Sequence, residues 1–286
     1  MKGSRRSWRS ANPSSSVSRL DTSGVMRLAL RMAGMDKVPA DSCVVVPEKN
    51  VRKALFAIDV AEAEVLLAKQ LGFDVVIAHH PLGEARVRFH EVTRRHEEFM
   101  VEKGVPRKLA RELTVALSDA VAVRSHPANY SAIGDFARIS GVALMNIHQP
   151  IDQVTREVLL GRIAAAEGDT VGDMVDRLAS MREFKNAATK IEVRMGSRKA
   201  NLGKWVLVFA AGTNGGYPMA KAYFDNGVDT VVYLHIDQGE LQRLREECDG
   251  NLVVLGHMAG DSIGANIFVS ALREKGVRVE TLGVIH

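Results

Sequence analysis

The feature that most constrains the fold is the regular alternation of short apolar runs with helical stretches, from Leu20 to the C-terminus. The apolar runs are rich in Val, Ile and Leu and mostly continuous, which is typical of strands buried on both faces of a parallel or mixed sheet. Repeated strand–helix–strand units favour an α/β fold. We predict strands over Cys43–Pro47, Ala54–Asp59, Val75–His80, Ala120–His126, Ala143–His148, Ile191–Met195, Lys204–Ala210, Thr230–His235, Leu252–His257 and Arg278–Ile285.

The stretches between these runs predict helices. In the longest of them Gly104 and Pro106 are expected to break the helix in two, because proline lacks the N–H donor that a helix interior needs. We predict helices over Val60–Leu71, Glu91–Leu117, Ala132–Ser140, Gln153–Ala166, Val171–Met181, Tyr217–Asn226, Glu240–Cys248 and Ser262–Lys275.

These elements divide into two α/β halves with mixed, mostly parallel sheets. We place an N-terminal half at residues 20–166 and a C-terminal half at residues 204–286. Residues 167–203 are partly helical, charged and glycine-containing, and we interpret them as a helical connecting segment.

The first 19 residues differ in composition from the rest of the chain. They contain five cations, no acidic residue and many serines, and such a segment cannot bury enough apolar surface to order itself. We predict a disordered basic leader over residues 1–19: a flexible tail, the product of a start codon assigned too early, or a targeting segment. The net charge of +4 comes from this leader, and the remaining chain is close to neutral. A nucleic-acid partner is therefore not expected.

The composition excludes several classes of protein. Apolar residues make up 46% and charged residues 25%, as in a globular chain. No uncharged apolar run reaches the roughly 18 residues of a membrane span, and we expect a cytoplasmic protein. Two cysteines, Cys43 and Cys248, exclude a disulfide scaffold and a cysteine-rich zinc finger.

Histidines are concentrated at the ends of predicted strands. Ligands of open α/β sheets bind at the carboxyl ends of the strands, so these histidines are expected to gather at one site. Pro81 ends the strand directly after His79 and His80, so that both rings can face that site. The alternative is one buried and one exposed histidine. The strand-end histidines are His79, His80, His126, His148, His235 and His257.

Two of these histidines are followed four residues later by an aspartate. His148 precedes Asp152, and His257 precedes Asp261, where a helix is expected to begin. Either aspartate alone is typical of a helix cap, but two copies beside His79 favour a metal site. Imidazole and carboxylate ligands suit Zn, Mn, Fe, Co or Ni rather than Ca or Mg. Two divalent transition metal ions, with Asp152 or Asp261 as a bridging ligand, fit this number of ligands.

Three motifs resemble the NIF-three-like family, whose members are also described as GTP cyclohydrolase type 2 homologues. They are VVIAHHPLG, IHQPID followed by DTVGDMVDRL, and GHMAGDSIGAN. The resemblance runs from about Val51 to the C-terminus and is greatest to the Ngg-one-interacting-factor-like branch. It implies two α/β halves facing each other across a dinuclear metal site, and a ring-shaped homo-oligomer, often a hexamer built from dimers. It implies metal ligands at His79, His80, Asp152, His257 and Asp261. We expect His148 and Ser262 behind these ligands or at the rim of the site.

The chain departs from the wider family at two places. That family tends to carry Glu where this chain has Asp261, and a Thr-Gly-acid stretch where this chain has Tyr233, Leu234 and His235. A hydrolase activity inferred for another branch of the family therefore cannot be assigned to this chain from the resemblance alone.

A glycine-rich turn, Thr213–Gly216, precedes one predicted helix. Such a turn can bind a phosphate at a helix N-terminus, and it is where we would place the phosphate of a nucleotide, at Thr213, Asn214, Gly215 and Gly216. The alternative, which we favour, is a tight turn in which Thr213 or Asn214 caps the helix.

His126 and His235 are candidate catalytic residues, since either can protonate a leaving group near neutral pH. The alternative is that they orient a ligand histidine. We predict a dinuclear metal-dependent hydrolase of a small, nucleotide-like substrate that uses a metal-bridging hydroxide. The alternative is a non-catalytic, metal-stabilised oligomer that acts as a binding or regulatory module.

Overall fold

The computed structural model describes residues 20–166 and 169–286, so the predicted leader and the first two residues of the predicted connecting segment lie outside it. The strands are β1 (Cys43–Val46), β2 (Lys53–Ala57), β3 (Val75–Ala78), β4 (Ala143–Asn146), β5 (Glu192–Met195), β6 (Trp205–Leu207), β7 (Thr230–Tyr233), β8 (Asn251–Val254) and β9 (Arg278–Leu282). The helices are α1 (Thr22–Met32), α2 (Glu62–Gln70), α3 (Gly83–Val87), α4 (Arg95–Glu102), α5 (Arg107–Ser125), α6 (Ala132–Ser140), α7 (Gln149–Ala164), α8 (Val171–Ala179), α9 (Arg182–Asn186), α10 (Gly216–Asp225), α11 (Gln238–Glu247) and α12 (His257–Glu274), with a 3₁₀ segment at Arg88–Arg94.

The strands form two mostly parallel sheets, which confirms the predicted α/β fold. The first sheet has the order β1-β4-β3-β2-β9 and the second β5-β8-β7-β6. Each sheet has one antiparallel edge strand, β1 beside β4 and β5 beside β8. The central strands β3 and β7 are buried on both faces, as their continuous apolar sequences predicted.

The predicted strand Ala120–His126 is wrong, because these residues form the end of α5. Burial there follows a helical and not a strand period: Val121 is buried, whereas Val123 is 67% exposed. The apolar run Ala-Val-Ala-Val therefore reflects one buried helix face beside one exposed face. Helix α1 was not predicted; the Asp21 side chain caps it by accepting a hydrogen bond from the Gly24 N–H.

The last strand returns to the first sheet, where β9 pairs in parallel with β2. The predicted C-terminal half, residues 204–286, thus contributes a strand to the other half. The physical reason is that α12 crosses both cores. Its Ile263 packs among the side chains beneath the second sheet, whereas Phe268 and Leu272 pack beneath the first. Within the predicted connecting segment, β5 is the edge strand of the second sheet.

Helices α7 and α12 pack closely against each other at Gly264. A Cβ atom at this position would collide with the Ile151 carbonyl oxygen and the Thr155 hydroxyl. The Gly264 N–H donates a hydrogen bond to Thr155 Oγ1 at 2.9 Å. The two helix backbones are therefore in close contact near two aspartates, Asp152 in the first turn of α7 and Asp261 one turn into α12. Among the described residues, no helix has the length and apolarity needed to cross a membrane.

Candidate metal centre

The tandem histidines follow β3 directly, and their backbones remain fixed to the neighbouring strand β2. The N–H of His79 donates to the Ala57 carbonyl at 2.8 Å, and that of His80 to the Ile58 carbonyl at 3.0 Å. His79 is fully buried and His80 is half-buried. Pro81 lies just beyond these bonds, so the ladder stops after the second histidine.

The His79 ring is oriented by a backbone carbonyl. Its Nδ1 lies 3.3 Å from the Ile147 carbonyl oxygen, an acceptor only, so that Nδ1 carries the proton and the lone pair is on Nε2. That Nε2 lies 3.3 Å from Asp152 Oδ1 and 3.8 Å from Asp261 Oδ2. A backbone carbonyl behind an imidazole is a common arrangement at metal sites.

A single oxygen of Asp261 lies among three imidazoles. Besides His79, its Oδ2 lies 3.3 Å from His80 Nε2 and 3.1 Å from His257 Nε2. His257 is the first residue of α12 and Asp261 is one turn further on, so the i, i+4 spacing places both side chains on one face.

His148 belongs to the same cluster, although we expected it behind the ligands or at the rim of the site. Its ring is buried, with its centroid 4.9 Å from that of His79. Its Nδ1 lies 2.7 Å from Asp41 Oδ2, and its Nε2 lies 3.6 Å from Asp152 Oδ2. Burial lowers the pKa of His148, but the charge of Asp152 and the hydrogen bond to Asp41 outweigh it and raise that pKa to about 9.

The carboxylate of Asp261 is ionised despite its burial. Burial alone would raise the pKa of Asp261, but the imidazoles of His257 and His80 hold it well below its ordinary value. The same carboxylate raises the pKa of His257, against the opposing effect of burial. The cluster therefore attracts positive charge, whether that charge is protons or a metal cation.

Four buried atoms of the cluster lack a hydrogen-bond partner among the described residues. Buried polar atoms are nearly always paired, so an unpaired group of them that converges on one point fits a bound cation. The ligand atoms of His80, His257 and Asp261 lie within 4.8 Å of one another, as do those of His79, Asp152 and Asp261, and those of His79, His80 and His148. The four unpaired atoms are His79 Nε2, His80 Nε2, Asp152 Oδ1 and Asp261 Oδ2.

Two carboxylates behind the cluster were not found from the sequence. Asp41 is fully buried against His148, and Asp59 Oδ1 lies 2.6 Å from His80 Nδ1. Both occur as single aspartates outside any strand–histidine motif. The only signal in the sequence for either carboxylate was that Asp59 lies two residues after β2, beside the predicted site.

The two candidate catalytic histidines differ in location. His126 is exposed at the C-terminus of α5, so it is not at a strand end. The His235 ring lies beside that of His257, with 5.2 Å between the centroids. Burial of the ring, followed by the charge of His257, lowers the pKa of His235 from its ordinary value. Ser262 has a structural contact: its hydroxyl donates to the Met258 carbonyl and accepts from the Ile285 N–H.

The polar groups of the glycine-rich turn bond within the protein. The Asn214 side chain donates to the His235 carbonyl and accepts from the Leu234 N–H, both at 3.0 Å. Thr213 Oγ1 accepts from the Gly215 N–H. Gly215 and Gly216 have positive φ angles of 83° and 63°, and a Cβ at Gly216 would collide with Glu240. These contacts support the tight turn and fix the loop that carries His235. The expected cap by Thr213 or Asn214 is wrong, because the N-cap residue of α10 is Gly215, which has no side chain to accept a hydrogen bond.

A cavity of about 660 Å³ opens beside the cluster. His235 and His257 line it, together with Lys190, Glu192 and Arg194 at the start of β5. A cavity of this size is large enough for a small molecule.

The chain is similar to proteins of one family along most of its length. The family model Duf34/NIF3 (NGG1p interacting factor 3) matches residues 42–285. A NIF3 superfamily protein from Sphaerobacter thermophilus is 43% identical, with a TM-score of 0.90 over 93% of this chain and 99% of that chain. Among curated proteins, none matches this sequence.

More distant structures share the fold alone. Reduced HcgD from Methanocaldococcus jannaschii is 12% identical with a TM-score of 0.56, over 92% of this chain and 98% of that chain. The Staphylococcus aureus protein SA1388 is 12% identical with a TM-score of 0.54, over 92% and 96%. The family match and the 43% identity together show that the chain belongs to the Duf34/NIF3 family.

Proposed function

We propose that the protein is a dinuclear metal-dependent hydrolase of a small, anionic, nucleotide-like molecule. The observation that carries the proposal is the convergence of four unpaired, buried ligand atoms beside His257, a residue that also lines a cavity large enough for a small molecule. A purely structural cluster would have no need of the adjoining cavity.

The donor atoms fit two divalent transition metal ions. One position is formed by His80, His257 and Asp261, and the other by His79, Asp152 and Asp261. Asp261 is common to both, and a carboxylate can serve as a shared ligand because it has two oxygens. His148 adds an imidazole near the second position. Bound there, the ions would supply Lewis acidity and lower the pKa of a coordinated water toward neutrality.

Neighbouring groups orient the imidazoles so that Nε2 of each ring faces the cluster. The Ile147 carbonyl behind His79 fixes its tautomer, and Asp59 and Asp41 do the same for His80 and His148. Such partners orient the ligands and raise their basicity.

His235 is the residue we assign to proton transfer. It lines the cavity next to His257, and its lowered pKa keeps the ring largely neutral at pH 7, so that the ring can take a proton and return it to a leaving group. His126 was a candidate because it was predicted at the end of a strand, but it lies at the C-terminus of α5. Lys190, Glu192 and Arg194 also line the cavity. Because Glu192 pairs with Arg194 at 2.9 Å, Lys190 is the cation of this lining that favours a substrate with negative charge.

Turnover by the metal-loaded full-length chain tests the proposal. We expect the wild type to hydrolyse at least one compound of a panel of nucleotides, phosphoesters and amides. His235→Gln is expected to lower kcat about a hundredfold or more without changing the metal content. His126→Gln is the matched control and should keep full activity. Absence of turnover on the whole panel, or an unaffected His235→Gln variant, would contradict the hydrolase.

The second candidate function is a non-catalytic, metal-stabilised binding module. It is favoured by the origin of the ligands, since His79 follows a strand of the first sheet and His257 a strand of the second, so that bound metal would tie the two sheets together. A metal-loaded chain that gains thermal stability but turns over no substrate would support this module.

A further inference from the structure

Among the described residues, Ala210 is the one non-glycine residue with a left-handed backbone. Its φ angle is 61°, and it is buried three residues beyond the end of β6. The Cβ atom is crowded in this conformation, so an alanine keeps it only where surrounding contacts hold it. Strained residues of this kind are concentrated at functional sites, and the contacts of Ala210 therefore indicate what the strain is for.

Two side chains hold the carbonyl oxygen of Ala210. Arg95 Nη1 donates to it at 2.7 Å, and the side-chain amide of Gln149 donates to it as well. A carbonyl oxygen has two lone pairs, so it accepts both bonds. Arg95 Nη2 donates at the same time to Gln153 Oε1 at 2.9 Å, because the planar guanidinium presents its donors as a fork.

These bonds join the helix that carries Asp152 to a loop of the other sheet. Gln149 and Gln153 lie four residues apart on one face of α7, which follows β4 of the first sheet, whereas Ala210 follows β6 of the second. The guanidinium of Arg95 stays charged although burial lowers its pKa. Its bonds are therefore charge-assisted and stronger than those of a neutral donor.

The loop that begins at Ala210 also carries the contacts of His235. Asn214 donates to the His235 carbonyl and accepts from the Leu234 N–H, both at 3.0 Å. Between Ala210 and Asn214 the loop is packed closely, since a Cβ atom at Gly212 would lie 2.9 Å from a methyl group of Val92. The position of Ala210 thus determines where Asn214 lies and, through it, where His235 lies.

We propose that Arg95 is a positioning residue, which with Gln149 holds the strained Ala210 carbonyl and so sets the place of His235 relative to Asp152. The proposal rests on the proton transfer proposed for His235. Arg95 acts through the loop, because its bonds go to Ala210 and Gln153 and it does not line the cavity beside His257.

Hydrogen exchange of the metal-loaded, full-length chain tests the positioning without any substrate. Arg95→Met should speed exchange of the Leu234 N–H at least about tenfold, since loss of a charge-assisted bond loosens the loop. The Phe73 N–H, which bonds to the Ala68 carbonyl at the end of α2, should keep its wild-type rate. Arg94→Gln is the matched control, because this neighbouring arginine is exposed, and it should change neither rate.

Relief of the strain separates positioning from general stability. Glycine takes a positive φ without strain, so Ala210→Gly added to Arg95→Met should bring the exchange of Leu234 back toward the wild-type rate. On a compound that the wild type hydrolyses, Arg95→Met should lower kcat at least about tenfold with KM and metal content unchanged, and the double variant should recover part of this loss. Arg95→Lys keeps the charge but not the fork, so it should show the same changes at smaller size, and it replaces Arg95→Met if that variant does not fold.

The outcomes separate this proposal from the hydrolase. A wild-type exchange rate at Leu234 in both Arg95 variants would overturn the positioning, whatever the turnover. A fall in kcat that accompanies loss of metal would also overturn it, because Arg95 would then act on the ligands and not on His235. Absence of turnover in the wild type would contradict the hydrolase, whereas faster exchange at Leu234 that Ala210→Gly reverses would still support the positioning.

Discussion

Asp261 Oδ2 lies 3.3 Å from His80 Nε2, and this contact joins the second turn of α12 to the residues that follow β3. The same oxygen lies 3.1 Å from His257 Nε2, so one carboxylate belongs to both groups of candidate ligands. Because Asp261 is fully buried and ionised, its loss should affect the site more than the loss of any other candidate ligand.

The buried carboxylate behind His148 should matter more for metal affinity than the exposed one behind His80. Asp41→Asn removes the charge that orients a buried ring, and we expect metal affinity to fall about 10- to 100-fold. Asp59→Asn is the matched control, because the Asp59 side chain is 79% exposed and water can replace its contact. Competition with a chromophoric chelator measures both affinities. Equal effects of the two variants would contradict the role assigned to Asp41.

The contact between α7 and α12 should couple stability to metal binding. Gly264→Ala forces the helices apart at the Ile151 carbonyl, and we expect it to cost about 1–3 kcal/mol of unfolding free energy and to weaken metal binding. Gly161→Ala is the matched control on α7, where a Cβ would meet nothing within 4 Å. It should stabilise the helix by about 0.5–1 kcal/mol. Urea denaturation with and without metal measures these changes, and a Gly264→Ala variant with unchanged metal affinity would contradict the coupling.

Most of the candidate site could be predicted from the sequence because its residues follow buried strands. Short continuous runs of Val and Ile indicated where β3 and β8 end, and the structure places His79 and His257 close together just beyond them. The carboxyl ends of parallel strands share one edge of a sheet, so the pattern grouped His79 with His148, which follow β3 and β4 of the first sheet. The approach of His257, which follows β8 of the second sheet, depends on how the two sheets pack.

The remaining features depend on tertiary packing that local sequence does not encode. Asp41 and Asp59 are single aspartates, and only the fold brings them behind His148 and His80. The apolar run before His126 is equally compatible with a strand and with one face of a helix, and the structure shows the helix. The return of β9 to the first sheet follows from the length of α12, which crosses both cores.

The free energy of unfolding should decrease as the pH is lowered, because of His96. This ring is fully buried on α4, and burial, followed by the charge of Arg95, lowers its pKa from 6.5 to about 4. The unfolded chain therefore binds a proton between these values that the folded chain does not. Neutral His96 contributes about 3 kcal/mol to the free energy of unfolding above pH 6.5, and this contribution is lost as the pH falls to 4.

The His96→Gln variant isolates this effect. Urea denaturation at pH 7 and pH 4.5 should show a smaller loss of unfolding free energy for the variant than for the wild type. His126→Gln is the control, because that histidine is exposed and its removal should leave the pH dependence unchanged. An identical pH dependence in the wild type and in His96→Gln would show that His96 does not control it.

Metal removal should lower the melting temperature. A metal ion that binds only the folded chain stabilises it by about 2.7 kcal/mol at a free concentration a hundredfold above its dissociation constant. Differential scanning calorimetry before and after dialysis against a chelator measures this change. His80→Ala, which removes a candidate ligand, should show little further change on chelation, and a wild type that is indifferent to the chelator would argue against a metal centre.

Metal content per chain tests the shared role of Asp261 most directly. Elemental analysis of protein purified without a histidine tag should give about two ions for the wild type and about one for Asp152→Asn, which keeps His80, His257 and Asp261. Asp261→Asn should retain close to none, and Asp176→Asn, a change at an exposed ion pair, should match the wild type. Equal metal contents in Asp152→Asn and Asp261→Asn, or a wild type with less than about one ion per chain, would contradict two metal positions joined by Asp261.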